Sequence, residues 1–219
     1  MRRDTHISNG GGCIPFAEIL LFHAPLTTDG KDAVGAKTPA VTGSVSYSQD
    51  GAYFGGTQYL KYAFSKNEML TSKTMFLRVK VAAQRNPYDY IATLGYSTGS
   101  ANYYRMAPYI TSPMKLSATL SWGSGATSFD SQVGANLQTD TWYDIAIVMD
   151  TNKQTFYLNG VDIWHRANSD TWNNWNMTSG TLNIGTNAGA NAANRSFYGY
   201  IRDVRIYDRA LTASEVAQL

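Results

Sequence analysis

Alternating apolar and polar positions run along much of the chain and predict β-strands. In the segment 75–81, apolar side chains occupy every second position: Met75, Leu77, Val79 and Val81. This period of two directs one set of side chains toward a core and the intervening set outward. Residues 116–122 repeat the pattern, and residues 142–150 are apolar on both faces, as in a strand covered on both sides. Shorter strands are predicted within 14–26 and at 45–47, 52–54, 59–62, 90–95 and 182–184.

Loops are predicted where Gly, Ser, Thr, Asp and Pro interrupt this alternation. The main interruptions are 27–44, 66–72, 97–102, 121–131 and 185–194. One sharp turn lies between two apolar runs, at Asn159-Gly160. A type I′ turn requires positive φ at both central residues, which Asn and Gly accept. This hairpin places Leu158 opposite Val161 and Phe156 opposite Ile163.

The end of the chain predicts a long strand followed by a short helix. Residues 197–207 are rich in aromatic and β-branched side chains, which suit a half-buried sheet. The alternation of inward-facing and outward-facing residues shifts between Ile201 and Val204, so we expect a β-bulge near Arg202-Asp203. Thr212 and Glu215 have the spacing of a capping box, and Leu211 and Val216 are placed to form a hydrophobic staple around it.

Composition indicates one sheet-rich domain. The chain has 219 residues, 13% aromatic and 16% charged, with a net charge of +2. We predict a flexible lead at 1–13, which ends near three glycines, and one domain at 14–219. The basic residues are dispersed rather than clustered, so the sequence does not indicate a nucleic-acid-binding surface. No apolar run approaches the roughly 20 residues of a membrane-spanning helix, so membrane insertion is not expected. The single cysteine, Cys13, cannot form an internal disulfide.

Several motifs together resemble one family. The closing segment contains Val204-Arg205-Ile206-Tyr207 before Arg209-Ala210-Leu211, and this segment resembles the last strand of laminin G-like domains. Further similarity lies at 24–32, 52–60, 142–148 and 156–161, in the order found in that family. The resemblance places the chain in the concanavalin A-like lectin and glucanase superfamily. It implies an all-β, two-sheet antiparallel jelly-roll sandwich with a short C-terminal helix, often used to bind glycans and seldom catalytic.

Glycosidase activity is one possibility that the resemblance implies, because related folds include glycan hydrolases. Such enzymes need two carboxylates across the scissile bond, which the resembling hydrolases carry in an E-x-D-x-E pattern. The only glutamates are Glu18, Glu68 and Glu215, and none has such a partner. His6, His23 and His165 lack the spacing of a metal site or a catalytic triad. We therefore expect no enzymatic activity.

Glycan binding needs aromatic faces with amides and charged groups at their edges. The polar segment 169–180 offers this combination in Trp172, Asn173, Asn174 and Trp175. The alternative is that both tryptophans fold inward as a small core within the loop. Weaker candidates are Tyr88, Tyr103, Tyr104 and Arg105, which could equally be half-buried strand residues and a solvated arginine. Trp122, Trp142 and Trp164 are assigned to packing.

Calcium is the one cofactor that the resemblance implies. Many members of the family hold a calcium ion with the aspartate of the closing strand, here Asp203, and with main-chain carbonyls of the first strand and a following turn. The alternative is that Asp203 pairs with a neighbouring arginine or caps the bulge. Asp29 and Asp32 offer a second, less supported loop site.

Three functions remain as hypotheses. The first is a non-catalytic lectin-like module that binds a glycan or cell-surface polysaccharide through the loop around Trp172. The second is a structural or decoration protein of a phage particle, which would contact other virion or cell-surface proteins through its N-terminal segment. A glycan hydrolase is the third and least supported. The N-terminus lacks the pattern of a signal peptide, so we expect a virion-associated protein, or an extracellular one whose export signal lies outside this chain.

Overall fold

The computed structural model describes residues 16–69, 72–97, 102–121, 128–131, 134–151, 153–167, 179–187 and 194–219. At 96–97, 102–105, 120–121 and 128–131 it describes the backbone alone. The predicted lead at 1–13 lies outside the described residues.

The described residues form 16 strands. In chain order they are β1 Leu20–Ala24, β2 Ala40–Thr42, β3 Ser46–Ser48, β4 Gly51–Gly55, β5 Tyr59–Ser65, β6 Lys73–Val81, β7 Tyr88–Tyr90, β8 Ala92–Ser97, β9 Asn102–Thr111, β10 Lys115–Ser121, β11 Ser128–Ser131, β12 Trp142–Met149, β13 Lys153–Leu158, β14 Val161–Ala167, β15 Ser179–Ile184 and β16 Tyr198–Tyr207. The helices are a 3-10 turn at Ala17–Ile19, α1 at Lys66–Met69 and α2 at Ala213–Val216.

The strands build two antiparallel sheets. The first sheet has the order β14-β13-β12-β6-β16-β4-β3, with β1 added on β16. The second sheet has the order β11-β10-β9-β8-β15-β5-β2, with β7 added on β9. Consecutive strands often lie in different sheets, which is the connectivity of a sandwich rather than of a meander. The predicted two-sheet antiparallel sandwich with a short C-terminal helix is confirmed.

The core lies between the two sheets. The inward residues of β6 predicted from the alternation are fully buried, and residues of the facing sheet, such as Leu60 on β5 and Leu182 on β15, belong to the same cluster. The outward residue Phe76 is also buried, but in a second cluster with Val216 of α2. The short C-terminal helix therefore covers part of the outer side of the first sheet.

The hairpin at Asn159-Gly160 is confirmed, but its register departs from the prediction. Leu158 opposes Val161 as expected, whereas Phe156 opposes Trp164 rather than Ile163. Ile163 is the extra residue of a bulge, and both Ile163 and Trp164 pack against the core. The prediction for Phe156 was wrong because the bulge lets two neighbouring apolar residues reach the interior.

The predicted bulge in the closing strand is confirmed. The pairing of β16 with β6 shifts between Arg202 and Arg205, and Asp203 has a left-handed φ of 55°. The capping box also forms, since Glu215 N donates to Thr212 Oγ1 over 3.3 Å and Thr212 N donates to Glu215 Oε2 over 2.8 Å. Leu211 and Val216 are buried in one cluster, as the staple requires.

Three elements lie in segments predicted as loops: β2, α1 and β11. Strand β2 pairs with β5 but is exposed along its whole length. Its sequence therefore shows no alternation of apolar and polar residues. Among the described residues, no helix has the length and apolar character needed to cross a membrane.

Candidate functional site

The predicted glycan-binding residues fall in three places. Trp172, Asn173, Asn174 and Trp175 lie outside the described residues, in the connection from β14 in the first sheet to β15 in the second. Tyr103, Tyr104 and Arg105 lie in β9, where the backbone pairs Tyr103 with Tyr96 and Tyr104 with Gly95.

Tyr88 lies at the opposite end of β9 from Tyr103. It pairs with Thr111, and the eight residues from Tyr103 to Thr111 correspond to roughly 25 Å at about 3.3 Å per residue. The Tyr88 side chain is 40% exposed, and the Arg195 guanidinium lies 5.5 Å from its ring centroid. The structure therefore does not bring Tyr88 together with Tyr103 and Tyr104.

Strand pairing brings the start of β9 close to the start of β15. Thr181 pairs with Gly95, and Gly95 pairs with Tyr104. By this register, the end of β8, the start of β9 and the start of β15 lie together at one end of these three interior strands of the second sheet. On the outer face near these strand ends, Asn183 Nδ2 donates to Thr181 Oγ1 over 3.1 Å and to Thr93 Oγ1 over 3.3 Å. Asn183 is 3% exposed, so its amide group forms hydrogen bonds within the sheet.

The best described site lies on the outer face of the first sheet. A cavity of about 280 Å³ opens between β6, β12, the hairpin turn and the C-terminal helix. Its walls include Phe76, Arg78, Trp142, Asp144, Asn159 and Val216. The register explains the grouping: Arg78 pairs with Asp144 and Lys80 pairs with Trp142, and directly paired residues share a face.

Arg78 and Asp144 form an ion pair in the cavity wall. Arg78 Nε lies 3.4 Å from Asp144 Oδ1, and both atoms are buried without a hydrogen bond. The side chains nevertheless remain 40% and 31% exposed. The exposed area must therefore come from their other atoms, which include the terminal guanidinium nitrogens and Asp144 Oδ2. These are the groups that remain for a ligand.

The hairpin turn fixes Asn159 beside Asp144. Asn159 and Gly160 have φ values of 51° and 77°, as the predicted turn requires. Asn159 N donates to Asp144 O over 2.7 Å, and Asp144 N donates to Asn159 Oδ1 over 2.9 Å. Only the oxygen of the side-chain amide is used in these contacts, which leaves its NH₂ group as a donor at the cavity.

Burial raises the pKa of Asp144, although the positive charge of Arg78 opposes this shift. The more distant Asp203 raises the pKa further, and Arg202 and Arg205 lower it. Asp144 therefore protonates at a higher pH than an ordinary aspartate. As a carboxylate it accepts hydrogen bonds, and this capacity falls on acidification.

These groups suit a small polar ligand with one apolar face. Trp142 supplies a half-buried aromatic surface, Asp144 supplies acceptors, and Arg78 and Asn159 supply donors. Sequence reasoning missed this site because Trp142 was assigned to packing. The outward phase of 76, 78 and 80 was visible in the sequence, but the pairing of β6 with β12 was not.

The carboxylate of Asp203 contacts two side chains, Arg205 and His23. Its Oδ1 accepts from Arg205 Nε over 2.8 Å and lies 2.9 Å from His23 Nε2, and its Oδ2 accepts from Arg205 Nη2. Burial alone would raise the pKa of Asp203, but the hydrogen bond from His23 and the charge of Arg205 hold it below its usual range.

These contacts do not fit a calcium ligand, because Arg205 occupies both carboxylate oxygens of Asp203. No group of three or more His, Cys, Asp or Glu positioned to hold a metal ion occurs within the described ranges. Calcium at Asp203 stays a prediction that would require the displacement of Arg205. At the second suggested site, Asp32 accepts backbone N–H groups from His23, Val34 and Gly35 over 2.9–3.0 Å, so this carboxylate holds the loop.

Comparison with known proteins gives a family and several similar folds. The sequence profile of the concanavalin A-like lectin/glucanases superfamily, a laminin G-like profile, matches residues 54–217. None of the curated proteins gives a significant match.

Three solved structures illustrate the similarity of fold. Domain 4 of an extracellular arabinanase from Geobacillus stearothermophilus, in complex with arabinotriose, is 18% identical, with a TM-score of 0.68 over 91% of this chain and 97% of that chain. A Trypanosoma rangeli sialidase in complex with the inhibitor DANA is 13% identical, with a TM-score of 0.72 over 95% of this chain. Only 33% of the sialidase chain is covered. A heptameric pentraxin from Limulus polyphemus is 20% identical, with a TM-score of 0.56 over 75% of this chain and 78% of that chain.

The low sequence identities to these solved structures support a shared fold alone, whereas the sequence profile shows the family. It matches residues 54–217, which is well over half of the chain, and the two-sheet sandwich agrees with it. The chain belongs to the concanavalin A-like lectin/glucanase superfamily.

Proposed function

We propose that this protein is a non-catalytic carbohydrate-binding module with a sugar site in the cavity at Trp142. The proposal rests on one arrangement: an aromatic ring, a carboxylate, a guanidinium and an amide surround a cavity of about 280 Å³. Sugar rings have an apolar face that packs on aromatic surfaces and hydroxyls that need donors and acceptors at their edges.

The size of the cavity favours one sugar residue. Sites for drug-sized ligands occupy about 300–1,000 Å³, so a volume of about 280 Å³ suits a smaller ligand. The fold similarity to an arabinanase domain in complex with arabinotriose adds support at the level of ligand class.

Binding is favoured over hydrolysis by the groups around the cavity. A glycosidase places two carboxyl groups on either side of the scissile bond. Among the described side chains of the cavity wall, Asp144 is the single carboxylate, and it is already paired with Arg78. We therefore assign Asp144 to hydrogen bonding with sugar hydroxyls.

A glycan array followed by calorimetry tests the proposal. We expect Trp142→Ala and Asp144→Asn to weaken binding of every glycan that the wild type captures by at least about tenfold, the effect of one lost packing or charged contact. Tyr59→Ala is the matched control, because it removes a half-buried strand aromatic from the second sheet. Unchanged binding in both cavity variants, or no binding of any glycan by the wild type, would refute the proposal.

Two further roles stay predictions. A second contact through Trp172 and Trp175 would use the connection that leads into β15. Attachment to a virus particle or a cell-surface protein would use residues 1–13. Both segments lie outside the described residues.

A further inference from the structure

A strip of aromatic and cationic side chains crosses the outer face of the first sheet. It starts at Trp142 on β12 and continues through Lys80 on β6 and Tyr200 on β16 to Tyr53 on β4. The register pairs each of these residues with the next. We call these residues, together with Tyr198, Arg85 and Arg202, the ring–cation strip.

Each member of the strip lies at contact distance from at least one other, through cation–ring or ring–ring contacts. Lys80 Nζ lies 5.0 Å from the centroid of the Trp142 ring and 4.7 Å from that of Tyr200. The ring of Tyr53 lies 5.0 Å from Tyr200. The same ring lies 5.9 Å from Tyr198, over which the Arg85 guanidinium lies at 3.6 Å. Arg202 lies 4.4 Å from the Trp142 centroid.

The strip is accessible and long enough for several sugar rings. All four of its aromatic residues are half-buried rather than buried. Three steps between neighbouring strands separate Trp142 from Tyr53, which is about 14 Å at roughly 4.8 Å per step. Trp142 is also part of the cavity wall, so the strip and the proposed sugar site form one continuous surface.

The charge of the strip is predominantly positive. It carries three cations, Lys80, Arg85 and Arg202. Among the described residues, one carboxylate contacts it, since Lys80 Nζ donates to Asp50 Oδ2 over 3.3 Å. The Asp50 side chain is 56% exposed and that of Lys80 is 18% exposed, so an anionic substituent would compete with Asp50 for a half-buried ammonium group. At the cavity end, Asp144 is paired with Arg78.

We infer that the ligand is an acidic polysaccharide chain, with one sugar in the cavity and the following sugars lying across the ring–cation strip. This inference rests on the proposed function and extends it from a single sugar to a charged chain. The ring surfaces that the cations leave exposed take the apolar faces of successive sugars, and the ammonium and guanidinium groups packed on the rings take the anionic substituents. Continuity with the cavity and charge complementarity both favour this occupant.

Binding of oligosaccharides of increasing length tests the inference. The probes are mono-, tri- and hexamers of galacturonic acid, neutral galactose oligomers of the same lengths and sulfated galactose oligomers. We expect the affinity of the wild type to rise with length for the acidic series by more than about tenfold and to remain nearly flat for the neutral series. The galacturonate and sulfated arms distinguish carboxylate from sulfate as the anionic group.

Charge removal then separates the strip from the cavity. We expect Lys80→Gln/Arg85→Gln to lower hexamer affinity by about three- to tenfold more than monomer affinity, the effect of losing one half-buried and one exposed ionic contact. Lys61→Gln is the matched control, an exposed lysine on the second sheet. Thermal melting verifies that the variants are folded, and Tyr53→Leu removes one ring while keeping all charges.

The outcomes distinguish the two proposals. If no probe binds the wild type, the proposed function itself fails. If sugars bind but acidic and neutral series behave alike, or the double variant keeps full hexamer affinity, the strip has only a structural role in cation–π packing and the inference fails. Stronger binding of single-stranded DNA than of any oligosaccharide would also overturn it, because nucleic acid stacks on aromatic rings and pairs with cations as well.

Discussion

At the scale of single residues, the contacts of Asp203 give the closing strand a buried electrostatic anchor. The side chains of Arg205 and His23 are 9% and 5% exposed, and both contact the carboxylate. Removal of one partner from a buried ion pair leaves an uncompensated charge, which costs about 3–5 kcal/mol. Since β1 and β16 pair next to this group, its loss would loosen two strands at once.

We therefore expect Asp203→Asn to lower the free energy of unfolding by about 3 kcal/mol, measured by chemical denaturation. Asp29→Asn is the control, because its pair with Lys31 is exposed and contributes below about 1 kcal/mol. The lowered pKa of Asp203 means that its stabilising effect is complete above its ordinary value of 3.8 and is lost as pH falls through the lowered value. Equal stability of the two variants would contradict this role. A rise in melting temperature with calcium in the wild type, absent in Asp203→Asn, would instead support the predicted calcium site.

Asp144 should impose a pH dependence on glycan binding. Burial raises its pKa above the ordinary 3.8, so on acidification it loses its charge before an exposed aspartate does. We expect affinity to fall as pH drops toward that raised pKa, while the fold remains intact by circular dichroism. Asp144→Asn should bind weakly and show a flatter pH profile. A wild-type profile that is flat down to pH 3.8 would exclude a carboxylate role for Asp144.

At the scale of elements, the closing strand lies close to its neighbour at Gly199. This residue has a φ of 148°, and a Cβ there would lie 2.2 Å from Lys80 O and 2.9 Å from Ala82 N. Both contacts are backbone atoms, which cannot move aside as a flexible side chain could. The pairing of Tyr200 with Lys80 follows directly after this close approach.

We expect Gly199→Ala to destabilise the fold by more than about 3 kcal/mol or to prevent folding, because backbone strain and a backbone clash combine. Gly56→Ala separates the two causes. Gly56 also has a positive φ of 90°, but a Cβ there would meet only Tyr198 Cδ2, at 3.6 Å. It should cost only about 1 kcal/mol, the strain of the backbone alone. Equal losses of unfolding free energy for the two variants in urea denaturation would show that the close backbone approach at Gly199 has no effect.

The elements also show how far sequence reasoning reaches. Alternation located β6, and Asn159-Gly160 located the hairpin, since both signals are local. Strand β2 was missed because an exposed strand has no apolar alternation. The cavity was missed for a different reason. It depends on the pairing of Arg78 with Asp144, and these two residues are 66 positions apart in the chain. Side chains that meet only through the sheet register leave no local pattern in the sequence.

At the scale of the whole molecule, the chain offers two candidate segments for glycan binding. The cavity and the ring–cation strip lie on the outer face of the first sheet. The connection that contains Trp172 and Trp175 leads from β14 in the first sheet to β15 in the second sheet. The buried core lies between the sheets, and packed sheets are about 10 Å apart. We expect the two segments to bind independently.

A double-mutant cycle tests this independence. We expect Trp142→Ala to weaken binding at the cavity and Trp172→Ala/Trp175→Ala to weaken a second binding event, with calorimetry of the wild type giving two sites. Because distant sites without common partners act additively, the triple variant should lose the sum of both effects within about 0.5 kcal/mol. A coupling energy well above that value would mean that both segments contact the same sugar. If the Trp172/Trp175 variant binds as the wild type does, those tryptophans serve packing, and the cavity is the glycan site.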